Sequence, residues 1–174
     1  MNESPVSVFL VVMGVAGCGK SSLGAALAQA CDVPLIEGDD HHSRTSREKM
    51  RLGVALTDAD RAGWLQALAE LLQAHQQGAV LTCSALKRAY RDQLRAACPG
   101  LRFVFLDIDR EEAGQRVAAR AGTHFFSSAL VDSQFATLEP PLGEPGVLRL
   151  DARLPLNQLC AQTVAWLPHQ ELAP

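Results

Sequence analysis

Gly14-Val15-Ala16-Gly17-Cys18-Gly19-Lys20-Ser21 fits the pattern G-x-x-x-x-G-K-[ST], and the chemistry of that pattern is phosphate binding. The glycines let the backbone curl so that consecutive N–H groups converge on phosphate oxygens, and the helix that begins near Gly19 adds the positive end of its dipole. Lys20 reaches the terminal phosphates, and the Ser21 hydroxyl can ligate Mg²⁺. The expected nucleotide contacts are therefore Gly14, Val15, Ala16, Gly17, Cys18, Gly19, Lys20, Ser21 and Ser22, with Ser21 as the metal ligand. A glycine-rich turn that merely joins a strand to a helix needs neither a lysine nor a hydroxyl after its last glycine. A nucleoside triphosphate is the predicted ligand.

The next residues with chemical potential are Glu37-Gly38-Asp39-Asp40-His41-His42. Asp39 or Asp40, set opposite the phosphate loop, can orient an acceptor hydroxyl, take its proton late in transfer, or hold a water on the metal. Adjacent His41 and His42 lack the i, i+4 spacing of helical zinc ligands, which favours a structural or substrate-orienting role. The acidic residue usual at the end of the third strand of phosphate-loop proteins is missing from Leu81-Thr82-Cys83-Ser84. Mg²⁺ is then expected to rest on Ser21, nucleotide oxygens and water, with Asp39 nearby. Asp107 and Asp109, ending the fourth strand, are weaker candidates for that role, with capping of the next helix as the alternative. Arg116 and Arg120 lie four apart ahead of Gly122-Thr123-His124-Phe125-Phe126-Ser127, which predicts an arginine-bearing lid over about residues 117–137 that closes on the nucleotide. Thirteen of the sixteen basic residues are arginine, a composition suited to bidentate contacts with carboxylate and phosphate.

These groups need a scaffold. Apolar runs near residues 7–13, 33–36, 79–83, 102–108 and 147–150 read as strands separated by helical patterns, which predicts an α/β fold with a parallel sheet covered by helices on both faces. Thr57 and Asp60 have capping-box spacing ahead of the stripe Trp64, Leu65, Leu68, Leu71, Leu72. Leu86, Tyr90 and Leu94 form a second stripe, beside the row Lys87, Arg91, Arg95. Pro155 opens a last helix with Leu156, Leu159, Cys160 and Trp166 expected inward. At 174 residues, 48% apolar, the chain is the length of one domain, 1–174. The net charge of −3 argues against nucleic acid and anionic membranes as partners. Met1 to Ser7 lacks a basic leader and the run after it is too short to span a bilayer, so the expected location is cytoplasmic. Five scattered cysteines suggest neither a disulfide framework nor a zinc site. A helix terminus would lower the pKa of Cys18, but a small residue tolerated in the loop is the preferred reading there.

Several blocks resemble those of the bacterial gluconate kinases: Met13 to Ser21, Gly38-Asp39-Asp40, Glu48-Lys49-Met50, Leu56 to Arg61, Trp64-Leu65, Cys83-Ser84-Ala85-Leu86-Lys87, Tyr90-Arg91-Asp92 and Leu130-Val131-Asp132-Ser133-Gln134. They run in order through about residues 8–155. The resemblance implies the P-loop NTPase fold with a five-stranded parallel sheet, ATP-dependent phosphorylation of D-gluconate at its C6 hydroxyl, and a homodimer. It implies Lys20, Asp39 and Arg120 as catalytic groups, and Arg116 beside the adenine. Asp39, His42, Lys49, Arg61, Lys87, Arg91 and His124 are the implied gluconate contacts. The chain departs from the common pattern at Glu37, where the family often has Asp, at Ser43, where it often has Pro, and at Thr123, which extends the lid motif.

Two other readings compete. A small-molecule kinase for shikimate or another sugar acid would share the fold. A GTPase-type binding module would use Asp60-Arg61-Ala62-Gly63 as D-x-x-G, but that block falls inside a predicted helix, and no N-K-x-D motif is present.

Overall fold

The run Val8–Met13 forms β1, the middle strand of the sheet. The computed structural model describes residues 7–120 and 127–167. After β1 come α1 (Lys20–Cys31), β2 (Leu35–Glu37), a 3-10 turn (Gly38–His41), α2 (Arg44–Arg51), α3 (Asp58–Ala74) and β3 (Gly78–Thr82). Then follow α4 (Arg88–Ala97), β4 (Arg102–Asp107), α5 (Arg110–Ala119), α6 (Ser128–Thr137), β5 (Val147–Asp151) and α7 (Leu156–Trp166). The five expected strands all form. They pair in parallel in the order β2-β3-β1-β4-β5.

Because β1 lies between β3 and β4, the chain leaves it to one side and returns on the other. The crevice for ligands in such a sheet opens at the carboxyl end of the strand where this reversal occurs, and the phosphate loop follows β1 there. Alternation along β1 fixes the two faces. Leu10 and Val12 pack with Leu23 and Leu27 of α1 and with Leu159 of α7, whereas Val11 and Met13 pack with Trp64, Leu65 and Leu68 of α3 and with Leu94 of α4. All four β1 side chains are fully buried, and burying each contributes about 1.5–3 kcal/mol.

The predicted capping box starts α3. Asp60 N donates to Thr57 Oγ1 at 3.2 Å and Thr57 N donates to Asp60 Oδ2 at 2.8 Å. In α7 the inward row is Leu159 and Thr163, while Leu156 is 44% exposed. Pro155 is the cap, so Leu156 sits at the rim of the first turn, and the expectation that it faces inward is corrected. The polar helix α2 buries only Ser46 among its residues, and no apolar period announces it. The 128–137 part of the expected lid is helix α6, with Leu130 and Val131 buried in the fold. Residues 121–126, including His124 and Thr123, lie outside the described residues.

Candidate active site

The loop's geometry follows from its glycines. Gly14, Gly17 and Gly19 have φ of 143°, 84° and 98°, a region costly for residues with a Cβ. A Cβ on Gly17 would come within 2.9 Å of the Ala113 carbonyl, whereas a Cβ on Gly19 would meet nothing within 4 Å. Gly17 therefore allows close packing on α5, and Gly19 leaves open space at the start of α1. No side chain caps α1 and no acidic residue occupies its first turn, so its amino end can receive an anion. Lys20 Nζ donates to Gly14 O and Val15 O, each at 3.1 Å, which folds the ammonium over the loop.

The acid missing from the end of β3 is supplied by the neighbouring strand. Glu37 ends β2 in register with Thr82 of β3. Its Oε2 accepts from Thr82 Oγ1 at 2.6 Å and from Ser21 Oγ at 3.1 Å. A hydroxyl beside a carboxylate suits a hard divalent cation such as Mg²⁺. The sequence signal was Glu37 itself, an acidic residue closing a strand, but its alignment with Thr82 is a property of the sheet. Gly38 follows, and a Cβ there would lie 2.2 Å from Thr82 O, so the turn carrying Asp39 can press against β3 only with glycine at that position.

Asp39 stands on this turn with its side chain 74% exposed, its Oδ1 3.8 Å from His42 Nε2. Trp64 Nε1 donates to Gly38 O at 2.8 Å and stacks on the His42 ring, with centroids 4.2 Å apart. Burial lowers the His42 pKa most; the Asp39 carboxylate pulls it up, and Arg61 and Arg47 push it down again. The net shift is downward, so the ring is neutral at pH 7. Its Nδ1 is buried without a hydrogen-bond partner. Arg47, not anticipated from sequence, holds the turn by donating to His42 O at 3.2 Å and to Asp40 O.

A cleft of about 350 Å³ joins these parts. Its lining brings together Gly17, Gly19, Lys20 and Ser21 of the phosphate loop and α1, Asp39, His42, Arg47 and Arg61, and Arg120, Ser133 and Gln134. Arg61 is 9% exposed. Its guanidinium reaches Tyr90 Oη at 3.4 Å, and among the described residues no carboxylate pairs with it.

Other predicted residues have different partners. Arg116 is outside the cleft lining but beside the loop, where it donates to Glu112 at 2.9 Å, Ala152 O at 3.2 Å and Gly17 O at 3.5 Å. Lys49 binds both Asp60 oxygens at 2.8 and 2.9 Å; this bond first, and those from Thr57 next, hold the Asp60 carboxyl at about 2. Lys87 binds Asp58 at 3.0 Å, which also accepts from Tyr90 Oη. Neither lysine lines the cleft. Cys18 is buried in the loop, and burial raises its pKa against the opposing charge of Lys20; burial likewise pushes Cys83 up to about 12. Neither thiol is primed for nucleophilic chemistry.

Arg91 is a correction. It is fully buried and donates to Ala85 O at 2.7 Å, Leu86 O at 3.2 Å, Glu139 O at 2.9 Å and Glu144 Oε2 at 3.0 Å. Its donors are spent on the protein, leaving none for gluconate. Ala85, held by this bond, has φ 46°, a strained conformation for a residue with a Cβ. The adjoining Ser84 O accepts from the Gly14 N–H at 3.3 Å, so the segment that Arg91 holds is bonded to the phosphate loop. Burial works to raise the Glu144 carboxyl, but bonds and charges from Arg91 and Arg95 outweigh it and hold it below the ordinary glutamate range. Its contribution to stability is thus complete above that range and is lost as pH falls through the depressed value. Glu144→Gln leaves the Arg91 charge buried without its counterion, and a loss of about 3–5 kcal/mol is expected. Urea unfolding at pH 7 measures it, and an unchanged midpoint would rule out this role for the pair.

The family described as an AAA domain matches residues 9–141. Gluconokinase of Gluconobacter oxydans (strain 621H) is 45% identical over 145 residues, covering 82% of this chain and 81% of that protein. Thermoresistant gluconokinase of Escherichia coli (strain K12) is 40% identical over 158 residues, covering 88% and 90%. The crystal structure of a gluconokinase from Sinorhizobium meliloti 1021 superposes with a TM-score of 0.86 at 44% identity, over 94% of this chain and 93% of that one. The phosphate loop, the parallel sheet that carries it and similarity spanning most of the chain agree: this protein belongs to the gluconokinase family of P-loop kinases.

Proposed function

We propose that this chain transfers the γ-phosphoryl group of ATP to the C6 hydroxyl of D-gluconate, giving 6-phospho-D-gluconate and ADP. The observation that carries the reading is Arg61, a buried guanidinium without a carboxylate partner among the described residues, in the same cleft as the phosphate loop. A charge in that setting is costly unless an anion joins it, and the acceptor's carboxylate is such an anion. His42, neutral and with a buried unpaired Nδ1, suits a sugar hydroxyl. With the carboxylate end fixed by Arg61, the far hydroxyl is presented to Asp39, which orients it and takes its proton late in transfer.

Lys20 leaves its loop carbonyls for the terminal phosphates, and Arg120 adds charge from the side of the cleft. Mg²⁺, bound by Ser21 with Glu37 beside it, would supply charge neutralisation on the phosphates. Arg116, next to Gly17 and Ala152, is assigned to the base end of the nucleotide. Lys49 and Lys87 serve the reading indirectly, by fixing α3 through Asp60 and Asp58. The reading extends to a homodimer in the cytoplasm, and no helix of the described residues is long and apolar enough to cross a membrane.

ADP release with Mg·ATP is measured against D-gluconate, shikimate, other sugar acids and a control without acceptor, with mass spectrometry of the product. Gluconate-dependent turnover yielding a singly phosphorylated acid is expected. Preference for another acceptor would overturn the substrate assignment and leave the nucleotide site standing.

A further inference from the structure

The peptide unit between Val15 and Ala16 is gripped at both ends. Its carbonyl accepts from Lys20 Nζ at 3.1 Å, and its N–H donates to Gln134 Oε1 at 2.6 Å. Gln134 lies on α6, 118 residues further along the chain. An N–H can be met only by the carbonyl end of a carboxamide, so this bond fixes which way the side chain points. The NH₂ end must then face away from the Ala16 amide. Gln134 lines the cleft together with Ser133 and Arg120, and among the described residues its Nε2 has no hydrogen-bond acceptor. A carboxamide on the cleft wall with its oxygen held by the phosphate loop, and its two N–H bonds without a partner among the described residues, is a preorganised neutral donor.

Building on the kinase reading above, we propose that Gln134 is a further residue of the phosphoryl-transfer site: Oε1 stays on the Ala16 N–H while Nε2 donates a hydrogen bond to an oxygen of the γ-phosphoryl group. The placement suits this role. The loop residue it holds is the neighbour of the carbonyl on which Lys20 rests, so the amide and the ammonium both address the same end of the loop. A donor already aimed at that charge needs no reorganisation during transfer. The bond also ties α6 to the loop, so the helix moves with the groups that hold phosphate.

Two near-isosteric variants separate the donor from the tether. Gln134→Glu keeps an oxygen for the Ala16 N–H but replaces the donor; Gln134→Met removes both without adding charge. Gln134→Glu is expected to melt as the parent does and Gln134→Met to fold with lower melting, because the Ala16 N–H loses its partner; both are expected to lower kcat for gluconate phosphorylation by about 10²-fold. ADP affinity, measured by titration calorimetry, is expected to hold, while affinity for the non-hydrolysable triphosphate AMPPNP falls. The proposal is overturned if either variant keeps kcat within about threefold of the parent. It is also overturned if the loss is confined to KM for gluconate, or if ADP and AMPPNP weaken equally. The nucleotide comparison needs no acceptor, so it still judges Gln134 if gluconate proves to be the wrong substrate.

Discussion

Asp39→Asn is expected to lower kcat by about 10²–10⁴-fold, the range by which a positioned acid or base accelerates proton transfer. The variant should stay folded. Asp39 is largely exposed, and among the described residues its carboxylate makes one ion-pair approach, 3.8 Å from His42; a surface change of this kind usually alters stability by less than about 0.5 kcal/mol. KM for ATP should be unchanged if Asp39 addresses the acceptor hydroxyl, the role proposed for it above. Loss of the carboxylate also removes the charge that pulls the His42 pKa upward, so the ring remains neutral in the variant and a protonation artefact is avoided. Steady-state kinetics with both substrates varied provides the check. Turnover near the parental value would remove Asp39 from the mechanism and leave Asp40, its neighbour on the same turn, as the carboxylate to test.

Lys20→Met should also reduce kcat, by about 10²–10³-fold, since it removes a charge aimed at the transferring group, but with a different signature. Its ammonium rests on loop carbonyls; if it exchanges them for phosphate oxygens as proposed, KM for ATP should rise together with the fall in kcat. The folded core should survive, because Lys20 is only partly buried and Leu23 and Leu27 of the same helix remain packed on β1. Circular dichroism and calorimetric titration with Mg·ATP distinguish the outcomes. A folded variant with parental ATP affinity and turnover would show that the loop binds phosphate through its backbone alone.

The two predictions differ in how far sequence alone carried them. The loop is a local object: eight consecutive residues, three of them glycines at positive φ, next to a strand and a helix whose apolar periods are plain. The Thr57–Asp60 cap is equally local and was legible for the same reason. Helix α2 was not, because its eight residues are nearly all polar and it is held by its cap and by its neighbours. Arg91 shows the limit most clearly. In sequence it belongs to a row with Lys87 and Arg95, and the family resemblance implied Lys87 and Arg91 as gluconate contacts. In the folded chain it meets Glu144, 53 residues away, inside the protein.

What the sequence determined by itself was therefore the phosphate loop, the five strands with their parallel layering, and the family, because short-range pattern and periodicity are written in neighbouring residues. Which charged side chains face the cleft was decided by tertiary structure. Glu37 reaches Ser21 because β2 aligns it with Thr82, Gln134 reaches the loop because α6 docks there, and among the described residues Arg61 has no carboxylate partner while Lys49, Lys87 and Arg91 have one each. A charged residue can be stabilised by water, by a distant carboxylate or by a ligand. Local sequence does not distinguish these, because the choice depends on which groups the completed fold brings within a few ångströms and how much water it leaves between them.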